Sequence, residues 1–406
     1  MSVEAENGGR GTNGSPSALS EPSPWSPQWS VAGFGLVALA GGGLFLSTVS
    51  WRHGVLFVVG GLLGVSLYHA AFGFTSAYRR LFVYRDISGV TAQLLMLGLA
   101  MLLFAPILAQ GQALGRGVVG AVAPIGVQVA VGSFIFGLGM QLGGGCGSGT
   151  LYTIGGGSTR MLVTLVAFCA GALWASIDMS FWAGLPSWGS VSLARAVGWE
   201  VALPVQMALL FAIWLSLRYW AAGADQGPLW SGRLSWRRLL AGPWPLLLGA
   251  GLLALLNWTT LLVAGHPWTI TWAFTLWGAK SAAVLGWDPS TSPFWTGDFQ
   301  QAALGRSVLR DVTSIMDIGI IVGALTAAGL AGRFAPTLRL PPLSLVSALL
   351  GGLLMGYGAR LAFGCNIGAF FSGIASSSLH GWLWIVCALA GTWVGVRLRP
   401  LFGLPN

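Results

Sequence analysis

The sequence predicts an all-α polytopic membrane protein, with about ten transmembrane helices and short re-entrant half-helices arranged as two inverted repeats. Three observations carry that expectation. Of 406 residues, 55% are hydrophobic and only 8% are charged, and the mean hydropathy is +0.75; a soluble domain carries about 25% charged residues. Apolar runs of roughly 20 residues, the length that crosses a bilayer core as helix, recur along the chain. A glycine-rich stretch around a lone cysteine occurs twice, as GGGCGSGTLY at 143–152 and FGCNIGAFFSG at 363–373. The alternating apolar and polar strands of a β-barrel are absent.

The elements follow in order. Residues 1–29 are Gly, Ser, Pro, Asn and Glu without an apolar core, and read as a disordered tail rather than a signal peptide. The first span is expected at 31–50, as an N-terminal transmembrane helix within 30–53 that precedes the repeats. Further spans are expected near 54–73, 88–109, 124–143, 160–178, 201–218, 239–264, 313–332, 343–362 and 379–397. Four apolar, Gly-rich pieces are too short to cross, around 74–83, 144–157, 268–280 and 364–378. Such backbone is tolerated at membrane depth only where protein or a polar cavity surrounds it.

The net charge of +9 resides mostly in arginines of short loops. It reads as a topology signal, not a nucleic-acid surface. Ten spans put both termini on one side, and the arginine bias makes that side the cytoplasm.

Internal symmetry sets the domain organisation. A shift of 219 residues places Gly132, Gly137, Gly139, Leu142, Gly145, Cys146 and Gly149 on Gly351, Gly356, Gly358, Leu361, Gly364, Cys365 and Gly368. Shorter matches set Phe74–Tyr78 on Ile270–Phe274 and Arg85-Asp86 on Arg310-Asp311, in the same order. The expected units are 54–225 and 226–406, inverted because the first starts inward and the second outward. Inverted repeats place a transport site at midplane, where broken helices meet.

The candidate site is the pair of nests. Glycines Gly145, Gly149, Gly364 and Gly368 admit unusual backbone and close approach. The segments after the nests are expected as short helices whose N-termini offer N–H groups and partial positive charge to an anion. The thiols of Cys146 and Cys365 add soft, polarisable sulfur, suited to a solute that presents sulfur. Cys169 and Cys387 lie inside apolar spans and read as core. Asn366 follows the second thiol. Arg360, whose symmetry mate is Gln141, and Lys280 are cationic candidates at membrane depth, where an ionisable group is a functional suspect. Asp178 and Asp317 read as structural. The four cysteines and four histidines lack metal-site spacing, and no phosphate-binding G-x-x-x-x-G-K-[ST] motif occurs, so neither metal nor cofactor is expected.

The stretches GGGCGSGTLY, DVTSIMDIGIIVGAL, GARLAFGCNIGAFFSGIASSSLHGW and HPWTITWAFTLWGAK resemble the YeeE/YedE family of bacterial inner-membrane proteins, over nearly all of 54–403. The resemblance implies an hourglass of two inverted halves and uptake of thiosulfate or a related sulfur or selenium species across the cytoplasmic membrane. It implies a relay through transient S–H···S hydrogen bonds at the waist, with Cys146 and Cys365 as two of the thiols, and a TusA-like sulfur-carrier partner in the cytoplasm. Many members carry a further cysteine in the first half-helix; Gly73 stands there in this sequence, and its symmetric position is Thr269. The competing reading is a membrane sulfurtransferase forming a cysteine persulfide. Such a nucleophile needs a nearby base or cation, and no His or acidic residue stands close in sequence to either cysteine. A non-enzymatic transporter is therefore expected.

Overall fold

A computed structural model describes residues 25–337 and 339–406. The tail expected over 1–29 lies, for 1–24, outside the described residues. Among the described residues ten helices are long and apolar enough to cross a membrane, and the chain is a multi-span membrane protein. They are α1 (Trp29–Val49), α2 (Trp51–His69), α4 (Ser88–Gln110), α5 (Val127–Gly143), α7 (Thr159–Ile177), α8 (Trp199–Trp220), α9 (Leu246–Ala264), α11 (Val312–Ala331), α12 (Pro342–Leu361) and α13 (Leu379–Leu398). Between them lie the short helices α3 (Phe74–Tyr84), α6 (Gly147–Gly155) and α10 (Thr271–Val284), and a π-helical turn, Asn366–Phe371, that continues into Ser372–Ala375.

One expected span changes. Helix is predicted over 239–264, but a short helix Trp236–Ala241 ends there and α9 begins only at Leu246. Pro243 and Pro245 fall between. Each lacks an N–H and restricts the residue before it, which breaks helix.

Glycine faces set the packing at the centre, where backbones touch. A Cβ on Gly132 would lie 2.9 Å from the Gly358 carbonyl oxygen, and one on Gly139 would lie 2.9 Å from that of Gly351. The pattern between α5 and α12 is reciprocal, because the 219-residue shift carries Gly132 to Gly351 and Gly139 to Gly358. The outer helices follow suit. Gly137 abuts Ala388 of α13 while Gly356 abuts Phe168 of α7, and Gly391 abuts Phe134 while Gly171 abuts Leu353. A contact of i with j and of j's counterpart with i's counterpart is the signature of a two-fold axis. α2 packs on α11 in the same close manner, Gly60 and Gly64 meeting the Met316 and Ile320 carbonyls.

On one side of the layer, two short antiparallel pairings join loops: Gln112–Ala113 with Arg116–Gly117, and Pro124–Gly126 with Ser187–Ser190. The hairpin carries Arg116 toward the loop after α9, where Gly265 lies beside its side chain.

Candidate functional site

Each nest is the end of a long helix turning into a short one. α5 stops at Gly144, whose φ of +88° is the left-handed conformation that glycine adopts freely. Arg160 then satisfies the helix end, donating to the Gly143 carbonyl at 2.6 Å and the Leu142 carbonyl at 2.8 Å. In the second nest the left-handed positions are Phe363 and Gly364, at φ +57° and +149°. The Trp384 indole N–H donates to the Gly364 carbonyl at 3.3 Å.

The two cysteines occupy equivalent places, each as the residue that caps the short helix behind it. Cys146 caps α6, with its Sγ 3.4 Å from the Ser148 hydroxyl. Cys365 caps the π-helical turn, its sulfur accepting from the Ile367 N–H at 3.4 Å. Both are buried, at 1% and 0% exposure, and all four cysteines are free thiols. The nests meet: a Cβ on Gly147 would lie 3.1 Å from Cys365 Sγ and 3.3 Å from Ile270 Cγ2. Two helix N-termini and two thiols therefore converge, giving donors and softness for an anion without a buried cation.

The other candidate residues separate into groups. A Cβ added at Gly149 or Gly368 would fit without strain, at ordinary contact from Cys146 Sγ (3.6 Å) and Thr269 Cγ2 (3.7 Å). Gly145 and Gly364 face backbone instead. A Cβ on Gly145 would lie 3.1 Å from the Gly149 carbonyl carbon, and one on Gly364 would lie 2.7 Å from the Ala369 nitrogen. These two glycines shape the turns rather than line a void. Asn366 is fully buried; its amide donates to the Tyr78 hydroxyl at 3.3 Å, and its Oδ1 has no partner. Lys280 binds carbonyls, donating to Leu304 at 2.6 Å and Arg306 at 2.7 Å, and so ties α10 to the loop before α11. The Arg360 guanidinium stacks on the Phe294 ring at 4.8 Å, and its Nε has no acceptor. Gly73 caps α3; an added Cβ there would lie 2.6 Å from Ser76 Oγ and 3.6 Å from the Tyr152 hydroxyl.

Sequence reasoning missed several groups. Tyr78 is 2% exposed and reaches Asn366 beside the second thiol. Among the described residues nothing accepts the tyrosine's own proton. Gln141 donates to the Thr75 carbonyl at 3.0 Å, while its Oε1 and the Thr75 hydroxyl stay unpaired. The match between FTSAY and ITWAF marked this segment, but not its reach to the second nest.

Cavities flank the nests. One of about 630 Å³ is lined by Arg116, His266, Thr269, Arg306, Arg310 and Thr313, among others. Among the described residues, its three guanidinium groups have no hydrogen bond or ion pair. His266 Nδ1 lies 3.0 Å from the Pro267 carbonyl, and burial pushes its imidazole below the ordinary value. Thr269, which lines this cavity, precedes Ile270, whose Cγ2 would lie 3.3 Å from a Cβ on Gly147. A second cavity, of about 320 Å³, is lined by Tyr68, Tyr152, Arg160 and Thr337. The first cavity sits at the start of α11 and the second beyond its end. A helix of 20 residues spans about 30 Å, so the cavities open on opposite faces of the membrane layer.

The family described as Sulphur transport matches residues 69–394. The probable transporter YedE of Escherichia coli (strain K12) is 32% identical over 173 residues, 42% of this chain and 41% of that protein. The chain thus spans under half the length of that relative. Similarity is more extended to the thiosulfate transporter TsuA of Spirochaeta thermophila, 30% identical over 353 residues, 83% of this chain and 96% of the relative. The thiosulfate transporter TsuA of Escherichia coli (strain K12) is 27% identical over 289 residues, 66% and 74% of the two chains.

Proposed function

This chain belongs to the sulphur transport family, and on that premise we propose that it carries thiosulfate, or a closely related sulfur-containing anion, across the cytoplasmic membrane. The observation that carries the reading is the meeting of the nests, where Gly147 of one lies against the thiol of the other. The anion gathers in the arginine-lined cavity, passes Thr269 and Gly368, and reaches Cys365 at the waist. It is handed to Cys146 and leaves along α6 past Tyr152. Helix N-termini hold the charge, and the thiols donate weakly to the terminal sulfur, so the anion is retained without being trapped.

The reading includes two inverted units, 54–225 and 226–406, about an axis in the membrane plane; the reciprocal contacts between α5 and α12 support it. Both termini are cytoplasmic in this arrangement, and a TusA-like carrier receives the sulfur inside. Arg360 and Lys280 position the outer half rather than touch the ion, since one is stacked on Phe294 and the other is taken up by carbonyls. Persulfide chemistry has less support. Among the described residues no histidine or carboxylate hydrogen-bonds either thiol, and an activated cysteine nucleophile needs such a partner.

The test is uptake of radiolabelled thiosulfate in cells lacking other importers. Cys146→Ala and Cys365→Ala each reduce uptake by at least about tenfold at normal membrane level, as expected for losing a contact of about 1.4 kcal/mol. Cys169→Ala and Cys387→Ala stay within about twofold, the range of substitutions with little energetic effect. Equal behaviour of all four would remove the waist thiols from the function.

A further inference from the structure

One ionisable group lies at membrane depth with no partner and no part in the path above. Asp317, in α11, is 0% exposed, and among the described residues neither carboxyl oxygen has a hydrogen-bond partner. Among the described residues the one ion pair joins Arg80 to Asp86, far from it in sequence, so no cation balances a charge at Asp317. A lone carboxylate in an apolar interior is costly to hold ionised.

Its position relates it to the path. Thr313 stands four residues earlier on α11, one turn toward the arginine-lined cavity and on the same face. Thr313 lines that cavity, and its hydroxyl is 3.3 Å from the Thr269 hydroxyl. One turn deeper than Asp317, Ile321 meets Gly155 of α6, the helix that begins at the waist. A neighbouring flank of α11, through the Met316 and Ile320 carbonyls, packs on Gly60 and Gly64 of α2. Asp317, between Thr313 and Ile321 at i−4 and i+4, therefore lies on the face of α11 that runs from the cavity to α6.

We propose that Asp317 is a proton-binding site linked to anion occupancy of the waist, reached from the arginine-lined cavity through Thr313. The linkage follows from charge. An anion at Cys365 and an ionised Asp317 repel across a poorly screening interior. At pH values where Asp317 is ionised in the anion-free protein, anion binding is accompanied by uptake of one proton, which comes from the solvent of the cavity and resides on a carboxyl oxygen. No bond other than O–H forms or breaks. By reciprocity, acid on the cavity side favours anion binding. The inference rests on the anion path proposed above.

Other titratable groups border α11. Asp311 caps it and accepts from Ser314 and Trp272. Arg310 lines the cavity, and His53 of α2 contacts its carbonyl. His69 lies at the other end of α2. Lys280 of α10 is held by carbonyls. Cys169 of α7, Tyr152 of α6, and Arg237 and Arg238 of the short helix 236–241 complete the set. His266 is the main competing proton site, because it shares the cavity.

The experiment measures initial uptake of labelled thiosulfate into liposomes holding the full chain, with external pH varied between about 5.5 and 8.5. Thiosulfate stays a dianion throughout. The wild type gains uptake as the outside is acidified, approaching tenfold per pH unit where Asp317 must acquire its proton. Asp317→Asn, a near-isosteric neutral mimic, keeps uptake and loses the pH dependence. His266→Asn retains it. A flat wild-type profile overturns the proposal, as does an Asp317→Asn profile that tracks the wild type; neither result touches the transport reading, which the wild-type rate tests alone. Should Asp317→Asn fail to reach the membrane, the wild-type profile together with Thr313→Val decides: the hydroxyl-free variant must slow the response to acid, and an unchanged response counts against the route.

Discussion

Substituting Gly147 by alanine adds one methyl where the first nest faces the thiol of the second. The new Cβ would sit 3.1 Å from Cys365 Sγ and 3.3 Å from Ile270 Cγ2. Carbon atoms prefer about 3.5–4.0 Å, so the neighbours must yield by a few tenths of an ångström. The thiol can do this by rotating away from the Ile367 N–H that it now accepts from. The resting protein absorbs the change, because alanine is favoured over glycine in helix by up to about 1 kcal/mol. The passing anion cannot, since it needs the volume the methyl and the displaced sulfur occupy. Overpacking of this kind costs about 1–3 kcal/mol. Added to the transport barrier, that slows uptake by about 5- to 150-fold, since about 1.4 kcal/mol is a factor of ten. The assay is initial-rate thiosulfate uptake, normalised to membrane level. Gly41→Ala serves as control, because nothing lies within 4 Å of its added Cβ. Gly147→Ala uptake within twofold of the control, at equal level, would refute the placement of the waist.

Two further substitutions probe the surroundings. Tyr78→Phe deletes one hydroxyl beside Asn366 and is expected to lower uptake several-fold, raising KM for thiosulfate more than it lowers the maximal rate; unchanged kinetics would exclude the hydroxyl as a donor to the ion. Asp86 lies outside the spans, and though burial alone would raise its carboxyl, hydrogen bonds from Ser88 and Gly227 and the charge of Arg80 outweigh it and hold the group below its usual value. A depressed carboxyl stabilises the fold above the unfolded carboxylate value of about 3.9 and loses that contribution as pH falls through the folded value. Asp86→Asn is therefore expected to lower Tm at pH 7 and to converge with the wild type in acid, below the folded value of Asp86; an equal deficit at neutral and acid pH would rule the linkage out.

The sequence made the spans legible because lipid imposes one requirement on a long stretch at a time. Ten apolar runs matched ten helices, and the exception, at 239–264, failed where Pro243 and Pro245 break a run that hydropathy alone leaves continuous. The nests were legible for a different reason. A cysteine behind a glycine, repeated at matched spacing, stands out because the surrounding composition does not call for it. What the sequence hid is convergence. The arginine-lined cavity draws Arg116 from a hairpin, His266 from the turn after α9, and Arg306 and Arg310 from the approach to α11. Each alone reads as a loop charge. Arg160, one more loop arginine by sequence, donates to the carbonyls that end α5 at the first nest. Lys280 and Arg360 showed the converse, conspicuous in sequence but taken up locally by carbonyls and a ring. An unpaired group at membrane depth thus carries more functional information than a charged one. Among the described residues, Asp317, Asn366, Gln141 and Thr75 have buried oxygens without a partner and the Tyr78 proton has no acceptor, and a passing ion or proton is what remains to satisfy such groups.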